Sequence, residues 1–152
     1  MQIPNIFSSE VTEQFISRIQ KIQDTTIPQW GKMNAAQMIA HCCVTYELVY
    51  ENIHPKPGLL MQLLLKTIVK KTVTGTAPYK KNLKTSPAFL KTGEYNLAAE
   101  KTRLINYLRR TQELGESYFD GKESHSFGKL NTNEWNNMFA KHLDHHLTQF
   151  GV

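Results

Sequence analysis

Apolar residues recur at helical spacing along most of this chain. In "SSEVTEQFISRIQKI" the positions are Val11, Phe15, Ile19 and Ile22, steps of three or four that line one face of a helix. Ser8 or Ser9 can cap it, with acids in the first turn. "TTIPQWGKM" breaks the pattern at Pro28 and Gly31. In "NAAQMIAHCCVTYELVYEN", Asn34 followed by Gln37 makes a capping-box-like start. That helix is predicted to run to about Glu51, where the prolines of "NIHPKPG" end it. "LLMQLLLKTIVKKTV" reads as a further helix. Gly75 and Pro78 then open a long basic loop within residues 73–93, of a length found in lids, binding loops or mobile connections. "EYNLAAEKTRLINYLRRTQELGESYF" predicts a long helix with Leu97, Leu104, Ile105 and Leu108 inward. "DGKESHSFGKL" is a turn-rich connection. The last helix is predicted from Thr132 as cap, with Glu134 in its first turn, to Gly151. No stretch alternates as a strand would. Four main helices and one shorter one imply an all-α, up-down four-helix bundle.

Composition adds bounds. The chain has 152 residues, so residues 1–152 fit one domain. At 40% hydrophobic and 20% charged it is ordinary globular material. The net charge of +5 is mildly basic, but the pairs Lys70-Lys71, Lys80-Lys81 and Arg109-Arg110 are scattered. With no zinc-finger spacing and no RNA-binding aromatic motif, no nucleic-acid partner is expected. The apolar run "GLLMQLLLKTIVKK" falls short of the ~20 residues that span a bilayer. Of a packed helix and a membrane-surface helix, the packed one is expected, and with it no membrane partner. The start "MQIPNIFSSEV" has no signal-peptide pattern. Cys42 and Cys43 are adjacent and unsuited to a mutual disulfide, which fits a reducing, cytoplasmic setting. On a helical wheel both point well away from His41 and read as packing residues.

Candidate chemistry lies with the histidines. "HLDHHLTQFG" holds three of the six, His142, His145 and His146. At about 100° per residue, Trp135, Met138, Phe139 and Phe150 form the apolar stripe of the last helix, and His142 and His146 fall at its centre. Gln149 shares that stripe, His145 sits at its edge, and Asp144 points to solvent. Two imidazoles at core positions are costly unless something satisfies them. A divalent metal does so for His at i and i+4, since both leave one face; ordinary hydrogen bonds are the alternative. On the second helix, His41 takes the middle of a stripe made by Met38, Val44 and Leu48, with Gln37 and Thr45 on the same side. Sites in bundles are built from facing helices, so His41, His142 and His146 make a candidate three-nitrogen metal set. Three protein ligands plus an open position is the arrangement of a catalytic zinc or similar ion. His54, in a proline-rich turn, is expected to be exposed, and His125 to pack a loop.

The inward His after "MNAAQMIAHC", the lead-in "HSFGKLNTNEW" and the closing "HLDHHLTQFG" resemble the DinB/YfiT-like superfamily of metal-binding four-helix bundles, closest to a bacterial branch of unknown function. The resemblance covers nearly the whole chain in helix order and is concentrated at residues 30–43 and 125–151. It implies His41, His142 and His146 as metal ligands. His145 matches a common neighbour and Gln149 a glutamine that often follows, so Gln37, His145 and Gln149 are the candidate supporting residues. Characterised relatives are similar in using the metal to activate a low-molecular-weight thiol in transferases and isomerases; others are called metal-dependent hydrolases. The resemblance therefore implies a divalent metal, zinc first with nickel or manganese as alternatives, a thiol cofactor and a small-molecule substrate.

A three-His ion can lower the pKa of a bound water toward ~7 or hold a thiol as thiolate. The reading is a thiol-dependent S-transferase or a related metal-dependent hydrolase. Lys80, Lys81 and Lys84 in the long loop could attract a thiol's carboxylates, although solvated lysines are the plainer account. No general base stands out; Glu47 lies off the His41 stripe. The alternative is a bundle that binds metal or a small ligand without turnover, and below it a metal-free bundle with structural histidines. A homodimer is left open.

Overall fold

The computed structural model describes residues 3–83 and 85–152 and is mostly helical. Helix α1 spans Ser9–Lys21 and buries Thr12, Phe15, Ile16 and Ile19. Its Ser8 cap acts through the backbone, the carbonyl accepting Thr12 N–H at 2.9 Å, with no side-chain cap bond.

Helix α2, Ala35–Tyr50, starts on the expected capping box: Asn34 Oδ1 accepts Gln37 N–H at 2.9 Å and Gln37 Oε1 accepts Asn34 N–H at 3.1 Å. Between Ala35 and Glu47 every residue but Gln37 is buried. The chemistry explains this, because no charge occurs from Met33 to Thr45 and Ala35, Ala36, Ala40, Cys42 and Cys43 are small enough for close approach. A helix apolar all round is a central helix, and α2 packs on both α5 and α6.

Helix α3, Leu59–Leu64, continues through a π-helical turn, Leu65–Val69, into α4, Lys70–Thr74. One side of this rod is half-buried, at Leu65, Val69 and Val73. It is tied to α6 by a Lys70–Glu134 pair at 2.9 Å and by Asn137 Nδ2 donating to Thr74 O at 2.8 Å. The expectation of a packed helix is corrected for the other side: Leu59 and Leu60 are 87% and 83% exposed. The rod has apolar residues on more faces than its single neighbour can cover.

Helix α5, Leu97–Phe119, is capped by Asn96, whose Oδ1 accepts Ala99 N–H at 2.9 Å. Leu97, Leu104 and Leu108 are buried as expected and Ile105 is half-buried. The unbroken helix read through "ELGESYF" is interrupted at Gly115, where φ is 71°; only a residue without Cβ takes that conformation cheaply.

A short hairpin follows where no strand was expected. Strand β1, Glu123–Ser124, pairs antiparallel with β2, Gly128–Lys129. Ser124 Oγ donates to Gly128 O at 2.8 Å and accepts Phe127 N–H at 2.9 Å. A side chain closes this turn, so hydrophobic alternation does not record it.

Helix α6, Thr132–Gln149, is capped by Asn131 rather than Thr132. Asn131 Oδ1 accepts Glu134 N–H at 2.9 Å, and Glu134 returns the bond to Asn131 N–H. Thr132 instead bonds Asp120 Oδ1 through both its N–H and its hydroxyl at 3.2 Å. The core lies among α1, α2, α5 and α6, around Tyr46, Phe119, Trp135 and Phe139. Among the described residues no helix is long and apolar enough to cross a membrane.

Candidate metal centre

The buried middle of α2 and one turn of α6 bring His41, His142 and His146 together, each offering a ring nitrogen within 4.8 Å of the others. His41 Nε2 and His142 Nε2 are 3.1 Å apart. His41 and His146 are buried and His142 is half-buried. Such a group could hold a metal ion.

The outward nitrogens are all engaged. His41 Nδ1 lies 2.9 Å from Phe89 O, so its N–H donates there and Nε2 keeps a lone pair. His146 Nδ1 donates to Gln149 Oε1 at 2.8 Å, and Gln149 Nε2 donates to Trp30 O at 2.6 Å. His142 Nδ1 meets the Thr45 hydroxyl at 3.1 Å, a contact that works with either partner donating. These partners hold the orientation of all three rings, and those of His41 and His146 also set the tautomer that a ligand needs. Two bare lone pairs 3.1 Å apart repel, so either His142 Nε2 donates a proton to His41 or a cation joins them. A tetrahedral ion with Zn–N bonds of about 2.0–2.1 Å spaces its nitrogens roughly 3.3 Å apart, close to what is seen. The three residues fit a divalent ion on donor type, and the His41–His142 pair fits it on spacing as well.

Electrostatics favour neutral rings. Burial pushes the His146 pKa down to about 3, with His41 adding to it and the Gln149 bond opposing. Burial, then His146 and His41, drives His142 well below its usual value. His41 is lowered by burial and by Lys91, against the Phe89 carbonyl. At neutral pH these rings are acceptors rather than cations.

The long loop covers the site. Its short 3-10 turn, Pro87–Phe89, packs the Phe89 ring edge-on against His41 at 5.2 Å and His142 at 5.7 Å between centroids. Tyr79 stands edge-on to His142 and His145 at 6.4 and 5.6 Å. Lys141, buried on α6, holds the start of the loop: Nζ donates to Thr72 O at 2.7 Å, Gly75 O at 2.5 Å and Ala77 O at 3.1 Å, and lies 4.6 Å from the Tyr79 ring centre. Burial lowers its pKa to about 8.

Other expectations fare differently. Gln149 supports His146, but Gln37 faces away, bonded within its cap and to Gly93 O at 3.2 Å. The capping box takes its Oε1 and the Gly93 carbonyl takes its Nε2. His145 packs its ring against Trp30 and Tyr79 at 5.7 and 5.6 Å. Asp144 pairs with Arg18 at 2.7 Å, away from the histidines. His54 is half-buried rather than exposed, because Nε2 meets the buried Glu47 Oε2 at 2.7 Å. Glu47 is also paired with Arg103 at 2.5 Å. His125 packs its loop, with Nδ1 2.9 Å from Ser126 Oγ and Nε2 3.2 Å from His54 O. Cys42 and Cys43 are buried, free thiols, and burial raises both, Cys43 to about 12. Lys80 is exposed, Lys81 Nζ lies 4.2 Å over the Trp30 ring, and Lys84 lies outside the described residues. Sequence reasoning gave no role to Phe89, Tyr79, Trp30, Lys91 or Lys141; it placed Thr45 on the right stripe without a partner.

Comparison with known families matches residues 7–151 to a family model described as "Protein of unknown function (DUF1569)". No curated protein matches the chain, and no solved structure does.

Proposed function

The chain belongs to the DUF1569 family, whose description assigns no activity, and we propose from its own residues that it is a metal-dependent enzyme that activates a small thiol. We further read its four long helices as an up-down bundle of the DinB-like kind, with α2 and α6 as the facing pair. The observation that carries the proposal is the convergence of His41, His142 and His146, with each Nδ1 held from outside. When bound there, a divalent ion, zinc first, supplies a Lewis acid that lowers the pKa of a thiol or water at its open position.

The surroundings favour the thiol. Among the described residues no carboxylate joins the histidine group, so a nucleophile there would rely on the metal itself for activation. That activation serves a thiol and a water alike, so the choice between them rests on the approach to the site. Phe89, Tyr79 and Trp30 line the approach with rings that exclude water from an electrophile. Lys81 over Trp30 and Lys91, felt by His41, place positive charge where a thiol's carboxylate would bind. The second reading, a metal-binding bundle without turnover, is favoured by the same lack of an acid or base.

The first test is elemental mass spectrometry on protein purified without tag or chelator, beside a His142→Ala, His146→Ala double variant. About one metal per chain, lost in the variant, supports the site. Protein that stays metal-free on addition of zinc, nickel or manganese removes it. Consumption of an electrophile only with added thiol then separates the enzyme from the binder.

A further inference from the structure

From Asn52 to Gly93 the chain contains eight lysines and no aspartate or glutamate. Since the whole has 18 basic and 13 acidic residues, the remainder carries ten basic against thirteen acidic. The entire positive balance thus sits on one segment. The same segment carries nine of the eleven large apolar side chains exposed among the described residues. They are densest on the outer side of the α3–α4 rod, where Leu59, Leu60, Leu63 and Ile68 are each at least 60% exposed, with Met61 and Leu64 beside them. Lys66 and Lys71 stand exposed on the rod.

The rod cannot simply turn these leucines inward. Its opposite side is pinned to α6 by Lys70–Glu134, by Asn137 on Thr74 O and by Lys141 on Thr72 O. An apolar face of this kind on a soluble monomer marks an interaction surface, and the charge selects among partners. A symmetric pairing of two copies would bring the exposed Lys66 and Lys71 of each rod together, while the neighbouring Glu134 is already taken by Lys70. A nucleic acid would use the lysines but leave the leucines without a partner. A bilayer with anionic headgroups satisfies both, taking the leucines into the headgroup–acyl boundary while lysines meet the phosphates. We propose that the outer face of residues 59–71, with the exposed Lys66 and Lys71 beside it, docks on anionic phospholipid membranes. The expectation of no membrane partner took this run to be a packed helix too short to span a bilayer. This inference does not depend on the metal-centre reading.

The test is flotation of the full chain with vesicles of phosphatidylcholine alone and with vesicles of equal parts phosphatidylcholine and phosphatidylglycerol, at low and high salt. Leu60→Gln/Leu64→Gln and Lys66→Glu/Lys71→Glu are run beside it; all four positions are exposed, so circular dichroism should be unchanged. The expected result is binding to the mixed vesicles that falls with salt, and at least about tenfold weaker binding by each double variant. Failure to float, or equal binding by the charge-reversed variant, overturns the proposal. So does a solution dimer, seen by light scattering, that Leu60→Gln/Leu64→Gln disperses, for then a second copy covers the face.

Discussion

At the scale of single residues, the candidate site depends on groups that never touch the ion position. Gln149 orients His146 and is itself held by Trp30 O. Gly31 lets it approach: φ there is 85°, and a Cβ would stand 2.5 Å from Gln149 Nε2. Gln149→Ala should weaken zinc binding roughly 10–100-fold, as loss of such supporting partners does, while leaving the far-ultraviolet dichroism intact; titration against a competing chelator measures it. The histidines also set a pH dependence. Their folded pKa values lie below the unfolded value near 6.5, so below that pH the unfolded chain binds more protons. Chelator-treated protein should keep this contribution above pH 6.5 and lose it as pH falls, continuing for His146 toward about pH 3, with a slope of up to ~1.4 kcal/mol per pH unit for each histidine. Urea midpoints from pH 7.5 to 5 read it out; His146→Ala should flatten the curve. The inward face of α6 was legible because its 3.6-residue period places His142 and His146 among Trp135, Phe139 and Phe150. The partners were not, since periodicity says which way a ring points and not what backbone meets it. The Phe89 carbonyl reaches His41 across 48 positions, and a backbone atom carries no residue-type signal.

At the scale of elements, two polar anchors carry weight. Lys141 gathers three carbonyls at the junction of α4 and the loop. Replacing it with Met leaves those acceptors without their donor and should cost about 1–3 kcal/mol. The break should be local, seen as faster proteolysis within residues 75–93 before any global unfolding. Glu47, buried on α2, receives Arg103 from α5 and His54 from the α2–α3 connection. Glu47→Ala removes the partner of His54 and one of the two carboxylates on Arg103, which keeps Glu100 at 2.6 Å and is partly exposed; it should lower stability by less than about 3 kcal/mol, and thermal denaturation beside Glu47→Gln measures it. The element pattern was legible for α1, α5 and α6, whose apolar stripes match their burial; α2 was placed as a helix, but it is buried on nearly every side rather than along one stripe. It failed for the rod of α3 and α4. A run of leucines looks the same whether covered or bare, and only the neighbours decide. It failed too at Gly115, where one left-handed residue interrupts a pattern that reads as continuous.

For the whole molecule, metal and fold should be coupled. If zinc binds only the folded state, a concentration one hundred times its Kd adds about 2.7 kcal/mol. For a chain of this size that raises Tm by roughly 5–10 °C. Differential scanning fluorimetry of the wild type should show the rise, and the His142→Ala, His146→Ala variant should show none. The coupling extends to the loop. The donor that presets His41 points into the carbonyl of Phe89, so the ligand and its cover are finished by one bond. By reciprocity, whatever factor the seated loop adds to metal affinity, the metal must return to the population of the seated loop. If an ion binds, the loop should sit closed more often with it than without it, by the same factor that the seated loop adds to affinity.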